Sequence, residues 1–233
     1  MPRGGEVMFA NTGREHPATL DFVNAVSRNW CAVRWVEYTP EQPGWKQVSD
    51  DTAARNGEPF AALIEKRKYL PNPVTRFCTS DLKVIPMRKA MKSLGHDEYT
   101  TILGIRADEP RRVARLRADQ ERYISMPLAD TGICSADVVA WWQTQPFDLR
   151  LPNNDPAFGN CDLCFLKGFA RIERVIRHDP SSADWWAKQE QLRSARFRKD
   201  RPTYAQTRTA ITIQGELFQP SEEDHTIPCE CTD

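Results

Sequence analysis

The chain has 233 residues, of which 40% are apolar and 27% charged, and its 32 Lys and Arg balance its 32 Asp and Glu. At about 150 residues per domain this is one domain with appendages or two small ones, long enough to bury a core. Zero net charge argues against non-specific nucleic-acid binding as the main task, and no run of about 18 apolar residues is present to cross a membrane.

The first residues, MPRGGEVMFANTG, hold no apolar stretch ahead of a cleavage site, so no signal peptide is read and a cytoplasmic, reducing location is expected. Glu6 to Ala10 is a short apolar run stopped by Asn11-Thr12-Gly13, the pattern of a buried strand ending in a tight loop. His16 to Ser27 is expected as a helix, with Leu20, Phe22, Val23 and Val26 near helical spacing. Cys31 to Tyr38 is rich in β-branched and aromatic residues and predicts a second strand. Strand, helix and strand at this spacing form a βαβ unit and favour a parallel sheet.

Residues 39–57 are polar, carry Pro40, Pro43, Gly44 and Gly57, and are expected as a loop. Phe60 to Lys68 is expected as a short helix broken by Pro71 and Pro73. Thr79 to Ser93 predicts a helix that Pro86 bends or restarts, and Thr100 to Ile105 a third strand, followed by the basic run Arg111, Arg112, Arg115 and Arg117. Ile124 to Leu128 is a further strand candidate. Ser135 to Gln145 is expected as a helix with Ser135 at its N-cap and Asp137 in its first turn. Asn153 to Gly159 is expected as a loop, Cys161 to Arg177 and Ser182 to Phe197 as helices, and the chain from about Gln206 as mixed. Of Trp141-Trp142 and Trp185-Trp186, helical spacing sends one of each pair into the core, with base stacking as the alternative.

Seven cysteines need an account in a reducing compartment: Cys31, Cys78, Cys134, Cys161, Cys164, Cys229 and Cys231. The tight pairs Cys161-x-x-Cys164 and Cys229-x-Cys231 suggest a metal or cluster more than a structural disulfide. The spacing of Cys161 and Cys164 suits zinc or an iron–sulfur cluster, and Cys78, Cys229 and Cys231 are available to complete the set. Cys31 and Cys134 are expected as packing residues.

Taken in order, these segments resemble the phosphoadenosine phosphosulfate reductase family of the adenine nucleotide α-hydrolase superfamily, and within it the phage and mobile-element branch. Phe9 to Val23 resembles the D/N-T-G-x-E/F-x-x-T-x-x-F segment. Arg76 to Met87 resembles the Cys-x-x-x-(Lys/Arg)-x-x-Pro segment, with Lys83 and Pro86 in register. Tyr99 to Arg112 resembles the T-G-x-R-x-(D/E) loop through Gly104, Arg106 and Asp108. Met126 to Asp130, followed by Asp137-Val138, resembles the P-L-x-(D/W)…D-V segment, and Cys161 to Cys164 the second cysteine pair.

The resemblance implies an α/β fold with a doubly wound, mainly parallel sheet, over residues 1–170, and a helical extension with a cysteine-containing tail over 171–233. It implies an adenine nucleotide or sulfonucleotide as ligand, held by Asn11, Thr12, Gly13, Glu15, Lys83, Gly104, Arg106, Asp108, Arg111 and Arg112. It implies a 4Fe–4S cluster on Cys78, Cys161, Cys164 and Cys231, with zinc as the alternative, and Cys229 (or, with roles reversed, Cys231) as the catalytic thiol. A thioredoxin-type reductant is the implied partner, and no membrane is. Cluster-bearing reductases have a Cys-Cys pair where this chain has Cys78-Thr79. The superfamily's phosphate-binding segment Ser-Gly-Gly-x-(Asp/Thr)-Ser does not occur in the sequence; family order puts its strand, loop and helix, roughly 30 residues, just before Gly5. The expectation is an internal start, a truncated fragment or a member without nucleotide hydrolysis. The implied activity is reduction of a sulfonucleotide to sulfite and nucleotide. The alternatives are a non-catalytic accessory protein and an ATP-dependent sulfur transferase that modifies nucleic acid.

Overall fold

The computed structural model describes residues 5–119 and 123–214, which cluster into two compact units: one holds the residues up to Ala90 and from Arg150 onward, the other residues 91–149. The division expected from sequence has its boundary at residue 170, whereas the helices that follow Cys164 belong with the first unit.

The first unit opens as the βαβ pattern requires. β1 (Val7–Asn11) and β2 (Val33–Tyr38) pair in parallel, with Val7 opposite Val33 and Asn11 opposite Glu37. Between them runs α1 (Pro17–Asn29), capped by the His16 Nδ1, which accepts from the Ala18 N–H at 3.1 Å. Pro17 at the first helical position loses no hydrogen bond there. Leu20 on its inner face packs with Trp35 and Ala53, and Phe9 meets Trp35 edge-on at 5.0 Å. Residues 39–57, expected as a loop, contain β3 (Trp45–Val48), antiparallel to β2. Its four residues include the exposed Lys46 and Gln47, so it owes its form to pairing with β2 rather than to its own pattern. The sheet is therefore mixed, β1-β2-β3.

α2 (Glu58–Arg67) buries Phe60, Leu63 and Ile64, one face at helical spacing, and stops at Lys68 in the left-handed region. The helix expected over 79–93 is three segments: α3 (Phe77–Thr79), a π-helical turn (Ser80–Val84) and α4 (Ile85–Ser93). Pro86 has no N–H to give to the carbonyl four residues back, and the wider turn ahead of it, closed by the Ile85 N–H on the Ser80 carbonyl, takes up the mismatch.

The helix expected over Cys161–Arg177 is corrected in its first half. Cys161 is drawn into an isolated antiparallel bridge with Glu15, the chain turns through Cys164, and α8 (Phe169–His178) begins only after Gly168. α9 (Ala183–Arg193) ends four residues earlier than expected, where Ser194 is left-handed. Of the segment expected as mixed from Gln206, the described residues belong to α10 (Tyr204–Gln214). These helices enclose the main core, where Trp186 lies 5.0 Å from Phe197, 5.4 Å from Tyr204 and 5.9 Å from Phe60. Buried Glu190 ties the layer together, accepting from the N–H groups of Phe197 (3.2 Å) and Tyr204 (2.8 Å).

In the second unit β4 (Thr101–Ile102) and β5 (Ile124–Ser125) pair in parallel, both shorter than expected. α5 (Pro110–Ala118) carries the basic run, and α6 (Pro127–Asp130) takes the end of the segment expected as strand. Ile105, Leu116 and Met126 form the core of this unit. α7 (Ser135–Trp142) has Cys134, not Ser135, at its N-cap, where Cys134 and Asp137 form a reciprocal capping box. Among the described residues no helix is long and apolar enough to cross a membrane.

Candidate functional site

The loop that leaves β1 is built from its own polar side chains. The Asn11 amide donates to the Glu37 carboxylate at 2.7 Å and to the Ala54 carbonyl at 2.8 Å, and its oxygen accepts from the Gly13 N–H at 3.1 Å. Glu37 also accepts from the Ala54 N–H at 2.6 Å and pairs with Lys46 at 3.1 Å. Gly13 is left-handed (φ +76°), and a Cβ there would sit 2.9 Å from the Gly57 nitrogen, so no other residue fits. Thr12 donates its hydroxyl and its N–H to Glu15 at 2.9 Å. Of the four residues expected to hold a nucleotide in this loop, Asn11 and Thr12 are buried with their side chains bonded within the protein.

Glu15 and Thr12 face the cysteine turn. The Thr12 hydroxyl lies 3.7 Å from the Cys161 sulfur, and Lys83 Nζ 3.8 Å from the Glu15 carboxylate, with 16% of the lysine side chain and 3% of the glutamate exposed. Lys83 projects from the π-helical turn. Burial works against its ammonium, but Cys161, Glu15, Cys164 and Cys78 outweigh it and its pKa is raised. Burial pushes the Cys78 thiol up to about 12, with Cys164 adding to the rise and Lys83 opposing it. Cys161 and Cys164 are raised in the same way, chiefly by burial. A second buried lysine, Lys167, donates to the carbonyls of Ala157 (2.6 Å) and Asp162 (2.7 Å), and burial lowers its pKa.

Cys78 lies at the start of a helical segment, where the helix dipole would favour a thiolate, but burial outweighs this and keeps the thiol protonated at neutral pH. The alkaline limb of stability carries the signature. A thiol whose folded pKa lies above its unfolded value of 9 contributes stability that is complete below pH 9 and is lost as pH rises toward the folded value. For the metal-free chain we expect the unfolding free energy from urea titrations to fall from about pH 9 upward, by about 1.4 kcal/mol per pH unit for each thiol still protonated in the folded state. Cys78→Ser should flatten that slope; equal slopes in the two proteins would contradict the buried, protonated thiol.

Cys78, Cys161 and Cys164 are soft donors of the type that zinc or an iron–sulfur cluster takes. Cys78, Cys161 and Cys164 all act electrostatically on Lys83, which lies 3.8 Å from the Glu15 carboxylate, and Arg14 pairs with Asp162 between the two cysteines of the turn. Among the described residues no group of three or more His, Cys, Asp or Glu side chains is arranged to hold a metal ion, and Cys229 and Cys231 lie outside the described residues.

The remaining predicted residues belong to the second unit. The Arg106 Nε donates to Asp108 at 3.0 Å and its N–H to Glu109 at 3.2 Å, and Asp108 accepts from the Ser135 N–H at 3.1 Å. Arg112 pairs with Glu109, Gly104 precedes this knot, and Arg111 is exposed. Sequence reasoning did not single out Arg14, Glu37, Asp162 and Lys167. Only Asp162 carried a signal, its place inside Cys161-x-x-Cys164.

Comparison with known proteins gives two matches. The family model for the phosphoadenosine phosphosulfate reductase domain matches residues 1–129, a span that takes in the β1 loop, Cys78, Lys83 and Gly104 to Arg112 and stops short of Cys161. An uncharacterized nin region protein, ORF290, of Escherichia phage lambda is 35% identical over 175 residues, which are 71% of this chain and 57% of that protein. The chain thus spans little more than half of that relative's length. No solved structure matches.

Proposed function

Because this chain belongs to the phosphoadenosine phosphosulfate reductase family, we propose that it binds an adenine sulfonucleotide at the carboxyl end of β1 and β2 and reduces it to sulfite and nucleotide. The observation that carries this reading is the convergence of Thr12, Glu15 and Lys83 on the Cys161-x-x-Cys164 turn beside the ends of two parallel strands, the edge where open α/β sheets take ligands. A doubly wound sheet goes with this reading, and the parallel pairing of β1 with β2 around α1 supports it.

In the proposed reaction Cys229 or Cys231 attacks the sulfonyl sulfur as a thiolate. A sulfur–sulfur bond forms, the sulfur–oxygen bond to the phosphate breaks, and the electron pair leaves with the nucleotide. A thioredoxin-type dithiol then attacks the cysteine sulfur, releases sulfite and is itself oxidised to a disulfide. Lys83 supplies charge for phosphate and sulfonate. Cys78, Cys161 and Cys164, with Cys231, would hold a 4Fe–4S cluster, which supplies thiolate-bound, redox-active iron. Thr12 and Glu15 hold the Cys161 side of the pocket in place.

A second reading, an accessory protein without catalysis, is favoured by the self-satisfied loop, since Asn11 and Thr12 keep no free polar group for a ligand. One preparation separates the readings: iron, acid-labile sulfide and zinc on anaerobically purified protein, with its spectrum and its affinity for adenosine phosphates. About four irons and four sulfides per chain, lost in Cys161→Ala, are expected. Zinc alone would make the cysteines a structural site, and no metal would end the ligand assignment. Metal without nucleotide binding selects the accessory role, and cleavage of ATP to AMP and pyrophosphate an ATP-dependent sulfur transferase.

A further inference from the structure

The loop after β1 and the cysteine turn are fastened to each other twice. In the backbone, the Asp162 N–H donates to the Arg14 carbonyl at 2.8 Å, next to the Glu15–Cys161 bridge. In the side chains, the Arg14 guanidinium pairs with the Asp162 carboxylate. The other carboxylate oxygen accepts from the Trp186 indole N–H at 2.8 Å and from the Leu163 N–H at 2.7 Å. Arg14 is held in turn by α9 and the residue before it: its guanidinium lies 5.3 Å from the centre of the Trp185 ring and reaches the Ser182 carbonyl at 3.4 Å. Gly57 makes room for this stack, since a Cβ there would sit 2.5 Å from Trp185 Nε1 and 2.7 Å from Arg14 Cδ.

We propose that Asp162 is a positioning residue for the thiol site, which it serves by locking the Cys161-x-x-Cys164 turn between Arg14 and Trp186 so that the Cys161 sulfur stays against Thr12. The proposal rests on the reading that the thiols around Lys83 are the working site. A buried ion pair gains little stability over apolar packing of the same volume, so a carboxylate placed between two cysteines and held from three directions is better explained by the geometry it imposes. The fork of Arg14 contributes a fixed plane, which a single ammonium does not. Asp162 thereby links the helical layer to the thiols through one side chain.

The test uses the full chain as purified, alkylated with iodoacetamide at a temperature well below unfolding, with rates at Cys161, Cys164 and Cys78 read separately by peptide mass spectrometry. Asp162→Asn keeps an oxygen for Trp186 and Leu163 but gives up the charge on Arg14. The rate at Cys161 relative to Cys78 should rise tenfold or more. Arg14→Lys, the milder change, should raise the ratio about threefold. A purely structural role would raise all three rates together through global opening, and a ratio within twofold of the parent overturns the proposal. Should Asp162→Asn not fold, the ratio in Arg14→Lys decides alone. Adenosine phosphate binding by the parent is measured alongside: its absence would undo the reading of the site while the alkylation ratio still judges the clamp.

Discussion

Trp186→Ala should be among the most damaging single truncations in the protein. The indole is fully buried, ringed by Phe60, Trp185, Phe197 and Tyr204, and its N–H is bonded to Asp162. Emptying such a site costs about 3–5 kcal/mol, the lost transfer energy plus the cavity left behind. A chain of this size loses roughly 2–4 °C of melting temperature per kcal/mol, so a fall of about 10 °C is expected by calorimetry. Trp186→Phe keeps most of the apolar contact and gives up the N–H, and should fall by about a third as much. A drop below about 3 °C for the alanine variant would mean that the aromatic cluster is not the keystone of the helical layer.

Asn11→Asp should be nearly as costly, for an electrostatic reason. The resembled segment takes Asp or Asn at this position, yet here the amide nitrogen donates to buried Glu37 at 2.7 Å and to the Ala54 carbonyl at 2.8 Å. A carboxylate oxygen in its place would meet two acceptors and no donor. The new acid would have to keep its proton, and its folded pKa would rise by about 3 units, or about 4 kcal/mol at neutral pH. A raised carboxyl pKa gives stability that is complete below the unfolded value of about 3.9 and is lost as pH rises through the folded value. The deficit against the parent should therefore be full at pH 7 and much smaller at pH 5, as urea midpoints at the two values will tell. Equal deficits would show that the loop relaxes and separates the two groups.

These two sites also mark what the sequence discloses and what it does not. The βαβ opening is legible because Val7 to Ala10 is an apolar run and Val33 to Tyr38 is rich in β-branched and aromatic residues, with an amphipathic helix between them. β3 is hidden, because Lys46 and Gln47 look like loop and become strand only through β2. Leu163 and Leu166 imitate a helical stripe with Cys161 to Arg177, but the backbone of Cys161 is claimed by Glu15 from a segment 146 residues earlier, a long-range pairing that no local period encodes. The same holds for the site. Thr12, Glu15, Lys83 and the cysteines carry motif spacing; Glu37 and Arg14, which hold them, are ordinary charged residues until the fold brings Asn11 and Asp162 to them.

The wide turn at Ser80–Val84 has a consequence for how this chain can vary over descent. In a regular α-helix, residues five apart sit well round the axis from each other, whereas a turn closed by i to i+5 bonds brings such residues toward one face. Cys78 and Lys83 are five apart, the one just before the turn and the other within it, and the lysine lies 3.8 Å from Glu15. What is inherited here is a residue count. Losing one residue would restore the ordinary pitch and swing the ammonium away from Glu15, so the stretch should tolerate deletion less than replacement.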